Sequence, residues 1–126
     1  MTTKRKRNKP KAVYTPVDRE VIKAVKQATC KVYEISEDDL LTNVSTSVAH
    51  LRFYCFWLLK SAEVNENVIA DAFGLSRTGI IYGIEQVDCQ KNIYRETVSQ
   101  LRMIAEATNE FPKKYEWHIQ LTNTTN

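Results

Sequence analysis

Residues 70–87 read ADAFGLSRTGIIYGIEQV, and the fold turns on how they divide. Ile69, Ala72 and Phe73 mark one apolar side of a short helix. Gly74 stands where a closing helix takes a left-handed residue, a conformation glycine adopts without a Cβ clash. Leu75 covers the turn, and Ser76 offers a side-chain acceptor to cap the next helix. Ile80, Ile84 and Val87 then recur at helical spacing. A helix-turn-helix needs a small residue where its second helix crosses the first, a glycine at the turn, and an apolar residue locking the two. Ala70, Gly74 and Ile80 supply these, although any pair of helices joined by a glycine turn shares the pattern.

The neighbouring segments are also helical. Thr15-Pro16 combines an N-cap with proline at the first helical position, and Val21, Ile22, Val25 and Ala28 extend that helix over about 16–30. Ser36 with Asp39 resembles a capping box and opens a short helix through Leu40 and Leu41. Asn43 to Ser47 forms a polar turn, with Ser47 or Thr46 expected to cap a helix over about 47–61. That segment, SVAHLRFYCFWLLKS, is apolar on nearly every side, which predicts a central position. Residues of about 91–109 carry Ile93, Val98, Leu101 and Ile104, either as a separate helix or continuous with the one before, and Phe111-Pro112 ends them. In KKYEWHIQL the alternation of Tyr115, Trp117, Ile119 and Leu121 has a strand period. A lone strand cannot satisfy its own backbone, so this one pairs with Ala12–Tyr14, pairs with a second copy, or lies extended on the body. The expectation is an all-α, compact multi-helix bundle: a basic flexible arm at 1–14, a helical domain at 15–110 and an extended tail at 111–126.

A chain of 126 residues suits one domain. No apolar run reaches the ~18–20 residues of a membrane span, and the basic N-terminus lacks the apolar stretch of a secretory signal, so a cytoplasmic protein is expected. Cys30, Cys55 and Cys89 are scattered and odd in number, and His50 and His118 are the two histidines, so neither a metal site nor a cofactor is expected. No carboxylate pair, Cys–His pair or Ser–His–Asp set stands out, which argues against an enzyme and a small-molecule substrate.

Charge is divided unevenly. Lys4, Arg5, Lys6, Arg7, Lys9 and Lys11 give residues 1–17 six positive charges and no acid. The remaining twelve Lys and Arg face all 15 Asp and Glu, so the rest of the chain carries −3. A like-charge block without apolar residues does not fold alone; its functional reading is an arm on phosphates, and the alternative is a solubilising or eukaryote-style targeting tail.

Arg77, at the start of the second helix of the pair, is the candidate for a base contact; otherwise it pairs with Glu85 or Asp71. Ser76 and Thr78 touch phosphate or a thymine methyl, or cap the helix. Tyr82, one turn beyond Thr78, stacks, contacts phosphate, or packs at a protein interface. Gly79 and Gly83 permit close approach of a backbone at ~1 kcal/mol each in helix stability. Arg52, His50 and the hydroxyls of Ser45, Thr46 and Ser47 are candidate phosphate ligands around a helix start.

Three pieces in order carry a family resemblance: Asp39-Leu40-Leu41; Val48–Leu58, VAHLRFYCFWL, beside a family pattern of Val-Ala-Arg-Pro-Arg-Gln and an apolar run; and Ile69–Gly74, IADAFG, beside Ile-Gly-x-x-Phe-Gly. From about Val21 to Ile104 the chain resembles the C-terminal double-stranded-DNA-binding domain of the bacterial replication initiator DnaA. The resemblance implies a helical fold of the Trp-repressor type, a helix-turn-helix in the major groove and a preceding loop at the minor groove. There are departures. Ser76, Arg77, Thr78, Gly79, Ile80 and Ile81 replace a motif whose Asp-His pair helps to read the initiator's site. The loop at Thr42–Ser47 has no charge where the family has arginines, His50 and Leu51 stand for Arg and Pro, and Arg52 matches. No GxxxxGK[ST] occurs, so the ATP-binding domain is missing from this sequence. The expected function is sequence-selective duplex-DNA binding in replication or transcription control, in a free-standing relative of phage, mobile-element or bacterial origin. The alternative is a protein-interaction module on the same fold, meeting a partner or a second copy through Tyr82, Tyr115 and Trp117. RNA is a weaker third ligand.

Overall fold

Thr15 starts the first helix reciprocally. Its hydroxyl accepts the Asp18 amide at 2.9 Å, and the Asp18 carboxylate accepts the Thr15 amide at 3.0 Å, which satisfies two donors that a helix start leaves open. The computed structural model describes residues 12–108. From this cap the chain runs through α1 (Pro16–Tyr33), α2 (Glu37–Thr42), α3 (Thr46–Ser61), α4 (Glu66–Phe73), α5 (Arg77–Lys91) and α6 (Arg95–Thr108), with no strand among the described residues. None of these helices is long and apolar enough to cross a membrane. The expected strand at Tyr115–Leu121 lies outside the described residues.

The cap of α3 is one or two residues earlier than the sequence suggests. Ser45, not Ser47 or Thr46, accepts the Val48 amide, at 3.3 Å. Asn43 Oδ1 accepts the Ser45 amide at 2.9 Å and holds Ser45 outside the helix, so Thr46 already belongs to the first turn.

Helix α3 occupies the middle and touches all five other helices. Cys55, Phe56, Leu58 and Leu59 are wholly buried on it, which explains why apolar residues encircle it. Val21, Val25 and Ala28 of α1, Ile69 of α4, Ile80 of α5, and Leu101 and Ile104 of α6 close the core around it. Each fully buried Leu, Ile or Phe contributes about 1.5–3 kcal/mol. Burial pushes the Cys55 thiol up to about 12 although Thr29 lies 3.2 Å from its sulfur, so it stays a neutral core residue. All three cysteines are free, and the described residues contain no cluster of metal-ligating side chains.

Helices α5 and α6 are separate. Both Ile93 and Tyr94 amides turn back to the Gln90 carbonyl, at 3.0 and 2.7 Å, which breaks the helix at Asn92–Tyr94. Where α3 crosses α5, a Cβ on Gly83 would lie 2.7 Å from Phe53 Cδ1 and 2.9 Å from Phe56 Cδ2. Gly83 is therefore a packing glycine in the core, not a bare spot on an open helix face.

Candidate nucleic-acid interface

Helices α4 and α5 are joined by Gly74, Leu75 and Ser76. Gly74 has φ 67°, its amide donates to Asp71 O at 3.2 Å, and the Leu75 amide donates to Ala70 O at 2.9 Å. This pair of bonds satisfies the last carbonyls of α4 and reverses the chain in three residues. Ser76 then accepts the Gly79 amide at 3.1 Å, so this candidate contact residue caps α5. Ala70 and Ile80 are both buried in the core.

The first turns of α5 present Arg77, Thr78 and Tyr82 to solvent. Gly79 is half-buried, with Ser76 Oγ 3.5 Å from where a Cβ would stand. Tyr82 is 55% exposed, and its ring meets Phe53 edge-on at 5.9 Å. His50, exposed on α3, lies tilted against the same Phe53 ring at 6.1 Å. Phe53 thus brings Tyr82 and His50 into one aromatic face spanning α3 and α5.

Arg77 pairs with Glu66 at 2.9 Å, not with Glu85 or Asp71. Glu66, at the start of α4, also takes Lys60 at 3.3 Å. The crossing of α4 and α5 makes this contact, so helical spacing does not reveal it. Arg77 remains 59% exposed, and an ion pair in that setting is worth about 0–1 kcal/mol. A phosphate or a guanine edge can displace it.

The turn before α3 is arranged differently. Arg52 faces inward along α2, where Nη1 donates to Leu40 O at 2.8 Å and Asn43 O at 2.9 Å. A charged donor on two carbonyls at a helix end stabilises it both by hydrogen bonding and by the dipole. Ser45 is engaged as the cap, while Thr46 and Ser47 are exposed beside it. Arg52 thus has a structural task, tying α3 to the end of α2. We expect Arg52→Ala to lower the unfolding free energy by about 1–3 kcal/mol, measured by denaturant titration.

Two features escaped the sequence reading. Tyr14 donates its hydroxyl to Asp71 Oδ2 at 2.5 Å, which fastens the segment just before α1 to α4. Burial first, then this hydrogen bond and the carboxylate's charge, push the Tyr14 phenol up to about 12. Arg19, Lys23 and Lys26 share one face of α1. Their spacing is visible in the sequence, but the acids of α1 mask the local sign. Lys4, Arg5, Lys6, Arg7, Lys9, Lys11, Tyr115 and Trp117 lie outside the described residues. No family model, curated protein or solved structure matches this chain.

Proposed function

We propose that this protein binds double-stranded DNA, with α4 and α5 acting as a helix-turn-helix of the DnaA C-terminal type, in replication or transcription control. The observation that carries this reading is the α4–α5 junction. A three-residue turn closed by left-handed Gly74 and capped by Ser76 leaves the first turn of α5 exposed, with Arg77 and Thr78 outward. That is the part of a reading helix that meets base edges in the major groove. The body supplies little positive charge there, since Glu66 offsets Arg77 and Lys60. The six cations of residues 1–17 supply the phosphate attraction instead.

A second reading draws on the aromatic face. Tyr82, Phe53 and His50 form a surface of low charge that suits a protein partner. Selection of random duplex DNA on the purified chain separates the two. Enrichment of a short motif is expected, and Arg77→Ala should weaken its preferred site by about 1–3 kcal/mol relative to a scrambled duplex. Binding to polyanions without any preference would favour the protein-interaction module.

A further inference from the structure

The groove between α1 and α4 reverses the sign of the body. Residues 18–126 carry a net charge of −3. Yet one open cavity of about 340 Å³ gathers Arg19, Lys23 and Lys26 against the single carboxylate of Glu37, with Tyr14 on its wall. Lys26 has a structural role: its Nζ donates to Ala72 O at 3.1 Å, lies 5.0 Å over the Phe73 ring and sits 3.8 Å from Glu37. It ties the last turn of α4 to α1, where a cation is favoured by the helix dipole. With Glu37 set against Lys26, Arg19 and Lys23 remain as a like-charged pair one helical turn apart. Arg19 stacks over Tyr14 at 4.4 Å, and Lys23 is exposed with no ion pair to a described residue. Like charges at this spacing repel, and an anion between them would remove that repulsion.

Two further placements favour a nucleic-acid phosphate as that anion. Tyr14, held by Asp71, marks where the basic segment joins the body. Lys11 is three residues earlier, which limits its distance from Tyr14 to about 11 Å of chain. On the other side, Ala72 lies on the last turn of α4, directly before the turn that leads to Arg77. The cavity therefore adjoins both the root of the basic segment and the turn of the helix pair.

We propose that this cavity holds a backbone phosphate of bound duplex DNA, with Arg19 and Lys23 as its ligands. The inference rests on the DNA-binding reading and moves the phosphate contacts of the body from the start of α3 to α1. The test compares the intact chain with Arg19→Gln/Lys23→Gln by titrating duplex DNA at several salt concentrations. Inorganic phosphate is titrated in parallel and followed by amide shifts. Both side chains are outside the core, so unfolding should be unchanged. The slope of log K against log salt should become shallower by about 1, the contribution of one phosphate, equally for every duplex sequence. Arg95→Gln, a cation on α6, should leave the slope unaltered. An unchanged slope in the double variant overturns this inference while the DNA reading stands. Absence of duplex binding by the intact chain overturns both. Inorganic phosphate shifting the Arg19 and Lys23 amides, with duplex binding indifferent to the double substitution, overturns the backbone assignment in favour of a free phosphate.

Discussion

Removal of residues 1–12 should take away most of the affinity for duplex DNA and leave the preference for one sequence over another nearly intact. Those residues hold six Lys and Arg and no acid. Each phosphate neutralised contributes about −0.9 to the slope of log K against log salt, so full engagement of the segment contributes about −5. Between roughly 50 and 200 mM salt, the full-length chain should then lose about 10³-fold more affinity than the shortened one. Fluorescence anisotropy over a salt series measures this directly. Equal affinity and equal slope in the two chains would show that the body alone makes the phosphate contacts. The prediction follows from what the body lacks: Arg52 is turned onto the carbonyls of Leu40 and Asn43, and Arg77 and Lys60 share Glu66.

Gly83→Ala should destabilise the fold by up to about 2 kcal/mol, and Gly79→Ala should stabilise it by up to ~1 kcal/mol. Helix propensity alone assigns both substitutions a gain of about 1 kcal/mol. At Gly79 nothing opposes that gain, because the new Cβ meets Ser76 Oγ at an ordinary 3.5 Å. At Gly83 it would stand 2.7 Å from Phe53 and 2.9 Å from Phe56. Phe53 is half-buried and can turn. Phe56 is wholly buried and packed edge-on against Phe73 at 5.0 Å, so its ring cannot move without disturbing the core. Overpacking of this kind typically costs 1–3 kcal/mol. Thermal unfolding of the two variants should move in opposite directions, with Gly83→Ala lower by up to about 10 °C. A Gly83→Ala protein as stable as the parent would mean that α3 and α5 do not approach as described.

Local chemistry made most of the helices legible. Thr15, Ser36 and Ser76 announced their helix starts because an N-cap acts over three residues of chain. Gly74 announced a reversal because few residues but glycine accept a positive φ, and the structure gives it φ 67°. The central place of α3 followed from apolar residues on all its sides. The cap at Ser45 was missed because three hydroxyl residues in a row compete, and Asn43 decides among them.

The candidate site was less legible, for a different reason. Which residues occupy the turn and the first turn of α5 is a matter of local spacing, so Ser76, Arg77, Thr78 and Tyr82 could be placed on one helix start from the sequence. What each charged side chain faces is set by contacts between helices far apart in the chain. Glu66 claims Arg77, two carbonyls of α2 and its end claim Arg52, and Asp71 holds Tyr14 beside the cations of α1. Helical period and capping thus determined where this chain folds into helices and where it turns. Only the tertiary packing decided which of its few cations remain open to a phosphate, because ion pairs and carbonyl contacts form across elements that no local pattern relates.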